Sequence, residues 1–92
     1  MEISNDMLAE IKYVKQSKYR TKVFEALDGY PKMPNEIAKK ADIVPNHVSV
    51  TLKQLKKHGL VECMNPEVRK GRLYRLTEKG ESVRDAMEQS QL

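Results

Sequence analysis

The chain has 92 residues, of which 39% are hydrophobic and 33% charged, and its net charge is +4. This size suits a single domain of residues 1–92, and no apolar run approaches the roughly 20 residues that cross a bilayer. Acidic residues where a signal peptide would be basic, and a single cysteine, Cys63, favour a cytoplasmic protein in a reducing compartment.

The first third of the sequence predicts two helices. From residue 5 to residue 16, apolar residues recur at three- and four-residue spacing, as one face of a helix requires. Ser17 is an N-cap candidate for a second helix that stops at Gly29, although one helix continuing through Ser17 is an alternative. The predicted apolar stripes are Met7, Leu8, Ile11 and Val14 in the first helix and Tyr19, Val23, Phe24 and Leu27 in the second.

Two further helices are predicted in the middle of the chain. Residues 30–34 hold two prolines and form a connection into a short helix that begins at Pro34 or Asn35 and ends at residues 42–45. Asn46 is the predicted N-cap of the next helix, which runs from residue 47 to 58 and stops at Gly59. The apolar positions are Ile37, Ala38 and Ala41 in the short helix and Val48, Leu52 and Leu55 in the next.

A hairpin and a last helix complete the predicted plan. Residues 60–64 and 73–76 have extended patterns and are expected to pair across a polar, basic connection at residues 65–72. Thr77, followed by two acidic residues, begins a helix over 77–90 with Val83, Ala86 and Met87 inward. The predicted fold class is mainly α with a small β-hairpin: a core at 17–76 between flanking helices 5–16 and 77–90.

Positive charge is concentrated in the second half of the chain. Residues 39–75 carry nine basic and three acidic residues, a net +6, whereas residues 1–38 are neutral and residues 76–92 carry −2. A field confined to one region favours a polyanion as partner. A second basic run is interpreted as a solvated face, with an extension of the phosphate contact as the alternative; it consists of Lys12, Lys15, Lys18, Arg20 and Lys22.

The order of helix, turn, helix and hairpin over residues 35–76 resembles the DNA-binding core of small archaeal and bacterial regulators of the ArsR and MarR type. The matching pieces are Glu36-Ile37-Ala38, Val48-Ser49-x-x-Leu52-x-x-Leu55, Gly59-Leu60-Val61 and Leu76-Thr77-x-x-Gly80. The resemblance implies a winged helix-turn-helix that binds double-stranded DNA in a sequence-specific way and regulates transcription. It also implies a homodimer, for which helices 5–16 and 77–90 are the candidate material because their apolar residues exceed what a small core needs.

The predicted DNA-binding residues lie on the second helix of the motif, residues 46–58, and in the wing, residues 65–72. That helix is expected in the major groove, where Asn46 and His47 suit base edges and Val50 suits a thymine methyl group. The wing is expected along the backbone or in the minor groove. The remaining members of the set are Asn35, Ser49, Lys53 and Gln54 on the helices and Arg69, Lys70 and Arg72 in the wing. Asn46 as a cap only, and the wing as a soluble turn only, are the alternatives.

Other classes of function find less support in the sequence. No nucleophile with a positioned base and no glycine-rich phosphate loop can be assembled, so no enzyme and no cofactor are predicted. His47 and His58 stand about 16 Å apart along one helix, too far to share a metal ion. The main rival is a winged-helix module that docks protein in a larger assembly. RNA binding is disfavoured because aromatic residues are few, and any small-molecule effector is left open.

Overall fold

The computed structural model describes residues 4–89, which form five helices and one two-stranded sheet. In chain order the elements are α1 (Asn5–Lys15), α2 (Lys18–Ala26), α3 (Pro34–Ala41), α4 (Pro45–Lys57), β1 (Val61–Cys63), β2 (Tyr74–Leu76) and α5 (Glu78–Gln89). This order confirms the predicted fold class. The ends of the predicted domain, including residue 90 of the predicted last helix, lie outside the described residues. Within residues 4–89, no helix combines the length and apolarity needed to cross a membrane.

The helix starts follow local hydrogen-bond chemistry. The Oγ of Ser4 accepts from the backbone N–H of Met7 at 3.1 Å, and the Oγ of Ser17 accepts from that of Arg20 at 3.2 Å. The cap at Ser17 separates α1 from α2, so the alternative of one continuous helix is wrong. At the start of α3, the Glu36 carboxylate accepts from the N–H of Met33 at 2.9 Å, satisfying one of the donors that a helix start leaves unpaired.

The start of α4 corrects one prediction. Asn46 is not the N-cap: the helix begins at Pro45, and Val44 takes the capping position. Proline suits the first helical position because its fixed φ is already helical and its missing N–H would be unpaired there. The turn from α3 is therefore short, and it starts at Asp42, whose left-handed φ of 57° ends α3. The exposed side chain of Asn46 is not engaged in capping.

All five helices bury side chains in one core. Its largest fully buried members are Phe24, Leu27, Ile37, Leu55 and Leu60. The apolar stripes of α1 and α5 pack against each other in this core, with Ile11 and Val83 among their buried residues. Most residues of these stripes are therefore used by the core of one chain. Two predicted core residues lie at the surface instead, because Leu8 is 42% and Tyr19 is 40% exposed.

The hairpin is anchored on both sides of β2. Antiparallel pairing with β1 sets Val61 opposite Leu76 and Cys63 opposite Tyr74. On the other edge, Lys32 and Tyr74 exchange two backbone hydrogen bonds of 2.9 Å, which tie the connection before α3 to the sheet. The wing extends beside α4 from the place where β1, β2 and the segment at Lys32 are joined.

Candidate nucleic-acid interface

Helix α4 presents one exposed strip between two flanks. Its buried side consists of Val48, Thr51, Leu52 and Leu55. At 100° per residue, the positions opposite this side are those at spacings of four, three and four starting from Asn46. They are Asn46, Val50, Lys53 and Lys57, and all four are exposed. Val50, at 57% exposure, is the apolar member of this strip.

The two polar residues of α4 nearest α2 are held by that helix. The ring of His47 stacks on Tyr19, with centroids 4.2 Å apart and planes 10° from parallel. The Oε1 of Gln54 accepts a hydrogen bond from the guanidinium of Arg20 at 3.3 Å. His47 and Gln54 therefore lie beside the exposed strip, on the flank towards α2, in agreement with their predicted place on or beside the outward face of the helix.

The opposite flank of α4 and the wing enclose a cationic cleft of about 330 Å³. Its lining residues are Pro34, Ser49, Leu52, Lys53, Lys56, Arg72 and Tyr74. Three basic residues, a serine and a tyrosine thus line one opening together with the apolar Pro34 and Leu52. Asn35, the predicted DNA-binding residue that follows Pro34 in the first turn of α3, is exposed but is not among the residues that line this cleft. An anionic group is the ligand that such a donor set attracts.

The wing has a hydrogen-bonded base and an exposed basic tip. Asn65 holds the base: its Oδ1 accepts from the N–H of Leu73 at 2.8 Å, and its Nδ2 donates to the carbonyl of Gly71 at 3.1 Å. Arg72 donates hydrogen bonds to the carbonyls of Val68 at 2.6 Å and Pro66 at 3.2 Å. This residue, which the sequence predicts to contact DNA, therefore also stabilises the conformation of the wing.

The remaining basic residues of the hairpin differ in whether an ion pair engages them. Arg69 and Lys70 are exposed at the tip, and within the described residues no ion pair engages them. Arg75, in contrast, pairs with Glu62 across the two strands at 2.8 Å. The positive charge available to a ligand therefore comes from the wing tip, the cleft and the last turn of α4.

A polar cluster fixes the C-terminal end of α4. Nδ1 of His58 lies 3.1 Å from one Glu10 carboxylate oxygen, and Nζ of Lys79 lies 2.7 Å from the other. Burial alone would raise the pKa of Glu10, but its hydrogen-bonding and charge interactions with Lys79 and His58 together outweigh burial, and the pKa is lowered. The other face of the cluster is aromatic: Tyr13 stacks on His58 at 3.6 Å, and Arg20 lies 4.0 Å over the Tyr13 ring.

Sequence reasoning missed two contributors to this surface. Tyr19 was assigned to a core stripe because it precedes Val23 by four residues, yet it lies at the helix start, beyond the core. No pattern in the sequence around Asn65 indicates that its side chain holds the base of the wing. Within residues 4–89, no three His, Cys, Asp or Glu side chains come together in a group that could hold a metal ion.

No protein-family model matches the chain, and no curated protein matches it by sequence. Its fold is similar to solved structures. TubR from Bacillus thuringiensis serovar israelensis, solved bound to 24 bp of tubC, superposes with a TM-score of 0.80 at 13% identity, covering 98% of this chain and 99% of TubR. The transcriptional regulator YodB from B. subtilis, in its diamide-treated form, gives a TM-score of 0.78 at 22% identity, covering 99% of this chain and 91% of YodB.

A MarR family transcriptional regulator from Silicibacter pomeroyi is similar over 91% of this chain and 58% of its own, with a TM-score of 0.70 at 18% identity. At these identities the likeness establishes the fold. The chain has the winged helix-turn-helix fold of MarR-type regulators, which confirms the resemblance predicted from the sequence. In this fold α3 and α4 are the helix-turn-helix pair and the β1–β2 hairpin carries the wing.

Proposed function

We propose that this protein is a non-catalytic transcriptional regulator that binds double-stranded DNA. In this proposal the strip that starts at Asn46 enters the major groove, where Val50 meets a thymine methyl group and Asn46 and His47 meet base edges. Arg69 and Lys70 at the wing tip contact the neighbouring backbone or minor groove. The fold similarity to TubR, which was solved bound to DNA, supports this assignment.

The observation that carries the proposal is the cationic cleft between α4 and the wing. Lys53, Lys56 and Arg72 line one opening of about 330 Å³, beside the polar strip of α4. Like charges repel, so bringing them together is unfavourable unless an anion occupies the site. A backbone phosphate fits that requirement, because the base-facing strip and the phosphate-facing cleft then lie side by side, as they must along a DNA groove.

A pair of matched variants tests the proposal. Lys53→Ala/Lys56→Ala removes two cations from the cleft, and Lys12→Ala/Lys15→Ala removes two exposed cations at the same spacing from α1. Binding is measured by fluorescence anisotropy of a labelled duplex from about 50 to 200 mM salt. The slope of log affinity against log salt is expected to become shallower by about 2 in the cleft variant and to stay unchanged in the control.

Two results would contradict the proposal. If the wild-type protein fails to bind duplex DNA even at the lowest salt, the protein-docking module becomes the better interpretation of the same surface. If both double variants lose the same slope, net charge rather than the cleft drives the binding.

A cytoplasmic homodimer joined through the terminal helices is part of the proposal. Two copies related by a twofold axis would present their α4 helices to successive major grooves, about 34 Å apart. The supporting features are Leu8, exposed on α1, and a neighbouring groove of about 460 Å³ between α1 and α5 that Met7 and Val83 help to line. Light scattering at several concentrations tests this, with Leu8→Glu expected to shift the mass towards the monomer. A mass equal to one chain for the wild type would refute the dimer.

A further inference from the structure

Residues Tyr19 and Arg20 of α2 each hold one side chain of α4. The ring of Tyr19 stacks on His47, and the guanidinium of Arg20 donates a hydrogen bond to Gln54. His47 and Gln54 are seven residues apart, which is two helical turns, so they occupy the same flank of α4. The second helix therefore governs side chains next to the exposed strip of α4 as well as packing against its buried side.

The two contacts differ in what they do for the fold. Arg20 also donates to the carbonyl of Tyr13 at 2.7 Å and lies over its ring, so it joins α1, α2 and α4 whether or not DNA is bound. The stack of Tyr19 on His47 joins two exposed side chains at the molecular surface. An exposed stack adds little to stability, but it fixes the plane of the imidazole.

We propose that Tyr19 is a positioning residue for base recognition by His47. The inference rests on the proposed function and adds a specificity determinant outside the helix-turn-helix pair. Stacked on Tyr19, the imidazole keeps one plane, and its ring nitrogens face DNA in one fixed direction. The base feature selected is a hydrogen-bonding group on the major-groove edge, and the four bases place such groups at different positions.

The physical advantage is preorganisation. A free histidine side chain on a helix surface samples several rotamers, and ordering it upon binding opposes association. Tyr19 removes that cost before DNA arrives and also excludes rotamers that would meet a different base. Loss of the stack is therefore expected to lower discrimination more than total affinity, because phosphate contacts supply most of the latter.

The test is to select bound sequences from a random pool of DNA duplexes with the wild type, Tyr19→Phe and Tyr19→Ala. The control is Tyr30→Ala, which removes an aromatic side chain that is 75% exposed elsewhere on the surface. Tyr19→Ala is expected to reduce base preference at one position about fivefold. Its affinity for unselected duplex is expected to stay within about twofold of the wild type. Tyr19→Phe and Tyr30→Ala are expected to select as the wild type does.

A second background shows whether Tyr19 acts through His47. In His47→Ala protein, adding Tyr19→Ala is expected to change base preference no further, because the residue that Tyr19 positions is gone. Proton NMR supplies a readout without DNA: the ring protons of His47 should shift in Tyr19→Ala and keep their positions in Tyr19→Phe.

Several results would overturn the inference. They are an unchanged preference in Tyr19→Ala, an equal loss in Tyr19→Phe, and a further loss in the His47→Ala background. Each leaves the proposed function standing, since the wild type would still select a sequence. If the wild type enriches no sequence at all, the proposed function fails and the role of Tyr19 in it fails too.

Discussion

Gly80 is the one of the four glycines at which an added Cβ would meet another segment closer than 3.4 Å, and its replacement tests how α5 packs on the hairpin. A Cβ at this position would overlap the carbonyl oxygen of Leu60, and it would lie 3.1 Å from the Leu60 carbonyl carbon and 3.2 Å from Cβ of Leu76. The atoms that it would meet belong mainly to backbone, which cannot rotate away. Gly80→Ala must therefore push the start of α5 off the strands.

That displacement threatens a small set of hydrogen bonds. The N–H of Thr77 donates to Leu60 at 3.1 Å, the Thr77 hydroxyl donates to Gly59 at 2.6 Å, and the N–H of Gly80 donates to that hydroxyl oxygen at 3.0 Å. Overpacking of this kind costs about 1–3 kcal/mol. Alanine regains up to about 1 kcal/mol of helix propensity, and less in a first turn. The expected net loss is about 2 kcal/mol, or about 10 °C in Tm for a domain of this size.

Urea and thermal unfolding followed by circular dichroism measure this loss. Ser82→Ala is the matched control, because Ser82 is exposed in the same helix and its replacement should leave the free energy of unfolding nearly unchanged. If Gly80→Ala unfolds at the same temperature as the wild type, the close approach of α5 to Leu60 is refuted. Close packing would then not explain why glycine ends the motif Leu76-Thr77-x-x-Gly80.

Three further substitutions test the supports of α4 and its neighbours. Arg20→Ala removes the bonds to Tyr13 and Gln54 and a cation–π contact, so urea unfolding should show a loss of about 2 kcal/mol, whereas the exposed neighbour Lys18→Ala should show almost none. Glu10→Gln should make Tm depend less on pH in the acid range. Because the pKa of Glu10 is lowered by folding, its carboxylate stabilises the fold above pH 4.5, the ordinary pKa, and loses this effect as the pH falls below that value. An unchanged profile of Tm against pH would contradict the ion pairs of Glu10. Lys32 and Lys40 lower the pKa of Asp28, and Asp28→Asn should cause a small fall in Tm that high salt abolishes; a loss independent of salt would exclude that electrostatic cause.

Periodicity and capping chemistry predicted the elements because both are local. Ser17 was identifiable as a cap from its residue type, and the spacing of Val48, Leu52 and Leu55 required only a helix to place them inward. The predicted start of α4 was wrong because a proline such as Pro45 can follow the end of one helix or begin another. The short turn that begins at Asp42 decides between these outcomes, and it depends on how α3 and α4 pack.

The candidate site was harder to predict because its geometry arises from contacts between distant segments. Nothing near His47 in the sequence indicates that Tyr19, 28 positions earlier, will stack on it. The cleft likewise joins Lys56 to Arg72 only after the wing folds back beside α4. The charge count over residues 39–75 indicates the stretch of sequence that carries the cleft and the wing, but it could not separate Arg75, which pairs with an acid, from Lys70, which has no ion pair within residues 4–89.

In the two proposals taken together, different sides of α4 contribute to the affinity for DNA and to the choice of sequence. Cations on the wing side, such as Lys56, interact with any phosphate, so their removal changes affinity and its salt dependence for all sequences alike. In the proposal for Tyr19, His47 on the α2 side meets DNA with a ring that Tyr19 holds, so its effect would depend on which base lies opposite. If both proposals hold, the cleft variant should bind more weakly yet select the same sequence, while Tyr19→Ala should bind about as tightly and select less sharply. Substitutions on opposite flanks of one helix would then separate affinity from specificity.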